Sequence, residues 1–556
     1  MKNQNILFGI LVLLFVTLMS VPYLVPHTGF LALIGFVPLL CLERIATLTG
    51  AKRVWLWHYS AFLLWNAVTT FWVCNATVGG GIFACVANAF QMSLVFGLFR
   101  WSRKYLRGSL PYIFLAALWI AWEKYYLDVA QISWPWLLLG NAFARTVSLV
   151  QWYEWLGTLG GSLWVWASNL SVFSLMVFLS DGSWFRFNAK ARFASAAAAF
   201  LILFAPAIVS MSMYYSPAQQ EGDTLKVVAL QPNIDPYHKF QALSQSQQNV
   251  ILLEQLKTAL AGRKDTSALL AVAPETFTND IVTGDYERSM TYRRFRDFLK
   301  NYHNVNLLFG ASSYSYIESA GAPSYTARKV SDGLWVESHN SALMVDGTDD
   351  AQIYHKSKLV VAVEMTPYPA FFCKIDDLLG GVMGRCIGQK EVSLLSCRTR
   401  DAEGKVVEDI PLGCAVCYES VYPEHCAEYV RKGAKALAII TNDAWWGNTP
   451  GYSQHLSYAS LRAIETRRDI VRSANTGISA IIDSRGDIVS KTAWWEPAVL
   501  DGEIHLSEKQ TFFVAQGDIV GRLCVFMAGG VVVLCLLMAV MLLLFCIVRK
   551  LSFRQE

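Results

Sequence analysis

LKVVALQPN, residues 225–233, marks the point where the chain changes character. It is a short apolar run closed by Pro232 and Asn233, and it follows a long series of much longer apolar runs. Six more short runs succeed it: ALLAVAP (268–274), VNLLFGASS (305–313), SALMVDG (341–347), LGCAVCYES (412–420), ALAIITND (436–443) and ISAIID (478–483). Runs of this length are too short to cross a bilayer, which takes about 20 residues of helix, but they suit strands buried on both faces. Stretches with helical periodicity at 242–262, 288–301 and 453–469 alternate with them. The pattern predicts an α/β domain over 216–520, long enough for one large core.

Working outward, seven apolar runs precede this domain, near 6–25, 29–46, 55–76, 79–99, 110–130, 160–180 and 193–214, and an eighth, containing GGVVVLCLLMAVMLLLFCIV (529–548), follows it over 521–548. The second is the weakest, because Pro38 and Glu43 shorten it. The sequence thus predicts a seven-span bundle over 1–215, the α/β domain, an eighth span and a short tail over 549–556. Lys2 followed by an apolar run also fits a signal peptide, but no small-x-small cleavage pattern follows and further spans do. Trp134, Trp136, Trp152, Tyr153 and Trp155 predict an amphipathic segment at the membrane interface.

Charge supports the division. Of all residues, 54% are hydrophobic and only 16% charged, against roughly 25% charged in an average soluble protein. Residues 1–215 carry a net +8, 216–520 a net −7 and 521–556 a net +3. With Lys2 inside, one side of the bundle collects fourteen Lys and Arg in its loops and termini, and the opposite side's short loops hold only Lys124 and Arg145. By the positive-inside rule both termini are cytoplasmic and 216–520 lies across the membrane. The overall net charge of +4 gives no reason to expect a nucleic-acid partner. Disorder, collagen and small disulfide scaffolds are excluded by composition, and neither a GxGxxG nor a GxxxxGK[ST] phosphate loop occurs.

Three strand ends carry reactive groups. Glu275 follows Pro274 at the end of an apolar strand, the usual address of an α/β site, although a helix-capping carboxylate would look the same. Lys356 follows Tyr354-His355 and taken alone reads as a surface lysine. Cys417 ends the run that begins at Gly413, where a following helix N-terminus would favour thiolate; a buried apolar cysteine is the plain alternative. Together a thiol, a carboxylate and an ammonium make up a nucleophile, a base and an oxyanion partner for acyl transfer.

These residues, with Val227-Val228-Ala229-Leu230-Gln231-Pro232-Asn233, Pro274-Glu275-Thr276, Cys417-Tyr418-Glu419, Thr441-Asn442-Asp443-Ala444-Trp445-Trp446-Gly447, Gln454-His455 and Arg472-Ser473-Ala474-Asn475-Thr476-Gly477, resemble the nitrilase or carbon-nitrogen hydrolase superfamily and, within it, the apolipoprotein N-acyltransferases. The resemblance extends along the whole chain. It implies an eight-helix transmembrane bundle with a nitrilase-like αββα sandwich between spans seven and eight, in a bacterial cytoplasmic membrane with the sandwich in the periplasm. It further implies Glu275, Lys356 and Cys417 as the catalytic residues and Glu364, Tyr418 and Glu419 as supporting ones. The implied reaction moves a fatty acyl chain from a phospholipid, with phosphatidylethanolamine the expected donor, through a Cys417 thioester to the α-amino group of a diacylglyceryl apolipoprotein. No cofactor or metal is implied, and a monomer in the lipid bilayer is expected.

Asn340 is a candidate support for the lysine, and Trp445 and Trp446 are candidates for acyl-chain or membrane contact or for plain core packing. Phe240 stands where the family commonly has tryptophan, and Val363 and Met365 replace the Gly and Tyr that usually flank the glutamate at 364. The loop after Glu364 is a candidate lid, and 370–400 reads as an insertion. Six of the 12 cysteines fall in the exported domain, and a disulfide within 373–397 is expected. The rival readings are a membrane-tethered amidase using the same three residues, a transporter with an outer domain, and an inactive binding relative. The transporter reading wants ionisable groups inside spans, and apart from Glu123, Lys124 and Asp128 the runs are nearly free of them.

Overall fold

A computed structural model describes residues 2–552 except 187, 218–221, 238, 240, 241, 264, 265 and 379–382. The N-terminal part is helical throughout: α1 (Lys2–Leu24), α2 (Ala32–Gly35), α3 (Val37–Leu48), α4 (Val54–Thr70), α5 (Val73–Ala76), α6 (Val78–Ser102), α7 (Leu110–Asp128), α8 (Tyr153–Ser180) and α9 (Ala189–Tyr215). Helices satisfy every backbone group internally, as lipid requires. Among the described residues six helical segments are long and apolar enough to cross a membrane: Asn3–Leu24, Gly29–Leu48, Val78–Ser102, Tyr153–Ser180, Ala189–Tyr215 and Ile519–Val548. The other two predicted runs are helical as well, but α4 has only 17 residues and α7 carries Glu123, Lys124 and Asp128.

The weak second run is broken into a 3-10 turn, α2 and α3. Asn169 of α8 repairs the break. Its Oδ1 accepts from the amides of Phe36 (2.7 Å) and Val37 (3.2 Å), and its Nδ2 donates to the Ala32 carbonyl at 2.8 Å. Glu43 is buried with Arg100 at 2.6 Å and Arg103 at 3.0 Å, so the charge that weakened the run is paired. The expectation of an interfacial aromatic segment needs correction. Residues 135–149 form three 3-10 turns, and Trp136, Trp152 and Tyr153 are buried, with Trp155 the exposed member. Trp136 packs against His455 and Tyr458 in the seam between the bundle and the α/β domain, and Trp152 packs on Tyr153 and Trp164 within the bundle.

Two sheets form the α/β part. The first contains β1 (Thr224–Gln231), β2 (Leu269–Val272), β3 (Thr278–Val282), β4 (Val305–Glu318), β5 (Arg328–Ser331), β6 (Leu334–Val345) and β7 (Gln352–His355). The second contains β8 (Leu395–Arg400), β9 (Val406–Val416), β10 (Ala436–Thr441), β11 (Ile470–Ala474), β12 (Ala480–Ile482) and β13 (Ile488–Lys491), in the order β13-β12-β11-β10-β9-β8. β14 (Ala498–His505) returns to the first sheet, whose path is β14-β1-β2-β4-β6-β5, with β3 on β4 and β7 on β6. Each sheet has a parallel centre, β1-β2-β4, with β3 also parallel on β4, and β9-β10-β11, flanked by antiparallel β14 and β6 in the first and β8 and β12 in the second.

Alternation along β1 makes the layers. Val227 and Ala229 join Val416 and Ile440 in the core between the sheets, while Val228 and Leu230 pack on Leu252 and Leu256 of α10 (Gln245–Leu260). α11 (Met290–Leu299) covers the same sheet, and α13 (Pro423–Arg431) and α14 (Pro450–Thr466) cover the other. α12 (Pro369–Leu378) lies in the predicted insertion, α15 (Phe512–Gln516) follows β14, and α16 (Ile519–Ser552) ends the described chain.

Two expectations fail here. The stretch 370–400 is not simply an insertion, since β8 is the edge strand of the second sheet, paired along β9. All twelve cysteines are free thiols, Cys373, Cys386 and Cys397 among them, so the disulfide expected within 373–397 is not formed. Cys397 is buried on β8, where it fills the core as an apolar side chain.

Candidate active site

β2 ends at Val272, and Ala273-Pro274 carries the chain off the sheet to Glu275, whose successor Thr276 has φ 47°. The turn lies against Gly310 of β4. A Cβ at 310 would sit 2.5 Å from the Glu275 Cα, so only glycine permits this approach. The Gly310 amide donates to the Pro274 carbonyl at 3.0 Å, and the Phe277 amide donates to the Gly310 carbonyl at 2.8 Å.

β7 delivers Lys356 one residue past its end, and the Lys356 amide donates to the Asn340 carbonyl of β6 at 2.8 Å. Lys356 is 1% exposed, and its Nζ lies 3.0 Å from Glu275 Oε1 and 3.0 Å from Glu364 Oε1. Asn340 Nδ2 donates to the same two oxygens, at 2.8 Å and 2.6 Å. One ammonium and one amide therefore bridge two carboxylates. Burial alone would lower the Lys356 ammonium, but Glu275 and Glu364 outweigh it and hold the group well above its ordinary value, so it stays charged. Glu364 Oε2 accepts from the Val360 amide at 2.8 Å. Its turn is pinned to 384–386, the Cys386 amide donating to the Glu364 carbonyl at 2.8 Å.

Cys417 stands just past β9 at φ 53°, a left-handed conformation that a residue with a side chain holds only when its surroundings impose it. Its thiol feels Glu275, Lys356 and Asp443. Desolvation, reinforced by the Glu275 charge, pushes it well above its ordinary value, against the pull of Lys356. This corrects the expectation of a thiolate favoured by a helix N-terminus. The element after Cys417 is a five-residue 3-10 turn, Cys417–Val421, too short to supply such a field. The thiol is thus favoured in its protonated form, with the Glu275 carboxylate among the charges acting on it.

The other predicted residues fall into four groups. Glu419 is fully buried and ties the cysteine elbow to the lysine loop: Oε1 accepts from the Tyr354 hydroxyl (2.6 Å) and the amides of Ser357 (2.6 Å) and Lys358 (3.2 Å), and Oε2 from the Val416 amide at 2.8 Å. Burial would raise its carboxyl, but His425 at 3.2 Å and these donors hold it below its ordinary range. It braces the two loops against each other. Tyr418 stacks on Trp134 of the bundle at 6.1 Å, and Trp446 packs against Trp72 at 4.7 Å, so both rings lie in the seam. Trp445 is exposed and meets Tyr237 edge-on at 5.1 Å. Phe240 lies outside the described residues.

A network beneath the cysteine had no role in the sequence reading. Ser420 Oγ donates to the Cys417 carbonyl at 2.8 Å, and His455 Nε2 lies 3.1 Å from that same oxygen. His455 Nδ1 is 3.0 Å from Asp443 Oδ1, and Arg472 Nη2 is 2.6 Å from Asp443 Oδ2. Their only signal was membership of the quoted motifs. Buried Lys239, which bonds the Thr276 carbonyl beside Glu275, gave no signal. Among the described residues no cluster of His, Cys, Asp and Glu is arranged to hold a metal ion.

Residues 226–512 match the carbon-nitrogen hydrolase family, and residues 14–171 match the apolipoprotein N-acyltransferase N-terminal domain. An apolipoprotein N-acyltransferase of Chlorobaculum tepidum is 26% identical over 90% of this chain and 91% of its own length. One of Geobacter metallireducens is 27% identical over 93% and 92%. Among solved structures, Saccharomyces cerevisiae Nit3 of the nitrilase superfamily aligns with 55% of this chain and 97% of its own, at 14% identity and a TM-score of 0.36.

Proposed function

The chain belongs to the carbon-nitrogen hydrolase family, and we propose that it is an apolipoprotein N-acyltransferase working through Cys417. The observation that carries this reading is the buried Glu275-Asn340-Lys356-Glu364 cluster beside the Cys417 thiol, in a domain seated on an apolar helical bundle. In the first step Glu275 takes the thiol proton, Sγ adds to a phospholipid ester carbonyl, and the Lys356 ammonium receives the oxyanion. Collapse breaks the ester C–O bond. The lysophospholipid alkoxide leaves with the proton from Glu275, and a thioester remains on Cys417.

In the second step the α-amino group of a diacylglyceryl-cysteine adds to the thioester and gives its proton to Glu275. The C–S bond breaks, an amide forms, and the thiolate recovers the proton. Asn340 and Glu364 hold Glu275 and Lys356 at their separation throughout, which keeps the reacting groups oriented. Phosphatidylethanolamine is the proposed donor, and both lipid substrates reach the site along the membrane. In this reading eight helical segments span the cytoplasmic membrane, α4 and α7 included, the sandwich sits in the periplasm between the seventh and eighth, and both termini are cytoplasmic.

The test is to supply the purified full-length protein with phosphatidylethanolamine and a diacylglyceryl-cysteinyl peptide and to weigh the peptide. A fatty-acyl gain on the peptide's α-nitrogen supports the reading. Hydrolysis of short aliphatic amides without any acylated peptide would transfer the same residues to the amidase reading.

A further inference from the structure

α14 links the bundle to the nucleophile. Near its start stand two adjacent residues with different partners. Gln454, 1% exposed, spends its whole side chain on the bundle. Oε1 accepts from Trp72 Nε1 at 3.1 Å and from Trp136 Nε1 at 2.7 Å, and Nε2 donates to the carbonyls of Tyr23 at 3.3 Å and Thr69 at 3.2 Å. An amide has two acceptor sites and two donor hydrogens, and all four are used, on partners from α1, from α4 and the turn after it, and from the turn around Trp136.

His455, next along the helix, reaches the other way to the Cys417 carbonyl, with Asp443 and Arg472 behind it. The rings of Trp136 and Trp446 lie 5.8 Å and 5.4 Å from the imidazole. The same indole that bonds Gln454 therefore also walls His455.

We infer that Gln454 and His455 are positioning residues which make the reactivity of the Cys417 thiol depend on how α14 is seated on the membrane bundle. This rests on the reading of Cys417 as nucleophile. Cys417 is left-handed, and its carbonyl is held by Ser420 and His455 in a buried setting. Freeing α14 from the bundle moves His455 and takes the imidazole away from that carbonyl, leaving only the Ser420 hydroxyl on it. The peptide can then relax, carrying Sγ away from Glu275 and Lys356. Glu154 gives a control. It bonds Arg467, just past the far end of α14, at 2.5 Å, and so contributes to the same seam without lying near the cysteine.

The experiment measures the rate at which iodoacetamide alkylates Cys417 in the full-length protein in phospholipid nanodiscs at one fixed pH, read from the mass of the peptide containing it. Trp136→Phe keeps an aromatic six-membered ring and removes the indole N–H together with the fused five-membered ring, so it tests the coupling even if Gln454→Ala folds poorly. Both variants, and His455→Ala, should alkylate about tenfold to a hundredfold more slowly. His455→Gln, which retains a donor for the carbonyl, should recover most of the rate, and Glu154→Gln should match the parent. Parent-like rates in both Gln454→Ala and Trp136→Phe, or an equal slowing in Glu154→Gln, would overturn the inference. A Cys417→Ala variant that still acylates the diacylglyceryl-cysteinyl peptide at the parent rate would instead remove the nucleophile reading on which it rests.

Discussion

Gly310 lacks a side chain at the one place where the Glu275 backbone needs the room, 2.5 Å from where a Cβ would stand. Gly310→Ala should therefore displace the base while leaving both cores intact. The expected outcome is a loss of about a hundredfold in transfer rate with cooperative thermal unfolding retained, checked by kinetics beside a melting curve. Cys417 offers a test by pH. Its thiol lies well above the ordinary 9.0 because it is desolvated and faces Glu275, so the thiolate fraction of the resting protein grows only above that range. Alkylation of Cys417 should keep accelerating through and beyond pH 9, whereas a plateau near neutrality would show a preformed thiolate. Glu275, Lys356 and Cys417 could be singled out because each stands just past a strand end and within a quoted motif. Gly310 could not, since a glycine in VNLLFGASS announces nothing about which backbone lies opposite.

At the scale of elements, β6 and β7 place His339 and His355 ring on ring at 4.2 Å, with Ser341 Oγ 2.7 Å from His355 Nδ1. Desolvation, with the neighbouring His339 adding to it, lowers His355 from 6.5 to about 4. Between those values the unfolded chain binds a proton that the folded chain does not, so stability rises with pH across the window and is lost as pH falls through it. The melting temperature should drop between pH 6.5 and about 4, and His355→Gln should flatten that part of the curve. Strands such as β1, β2 and β10 were legible because they are buried on both faces and read as unbroken apolar runs. β5 and β13 are largely exposed, and β8 alternates buried and half-buried residues with charged ones among them. Those strands carry no such run and emerge only from pairing with their neighbours. The expected disulfide came from counting cysteines, which contains no information about which thiols the sheet separates.

Across the whole molecule the seam between bundle and sandwich is where sequence reading stops. Trp136, which looks interfacial by composition, is buried there because α14 returns, more than three hundred residues later in the chain, to pack Tyr458 and His455 against it. The lysine and arginine asymmetry remains the argument for orientation. It predicts that a green fluorescent protein fused after Glu556 fluoresces in a bacterial host, and that alkaline phosphatase fused after Tyr215 is active; the opposite pair of results would invert the topology. The central claim is that Cys417 carries an acyl group between two lipids. Its most direct test is the intact mass of the full-length protein after incubation with phosphatidylethanolamine, with Cys417→Ala alongside. The account predicts a fatty-acyl gain on the parent, none on the variant, and its release on adding a diacylated lipopeptide. A folded parent that gains no mass, or a variant that gains the same mass, would contradict it.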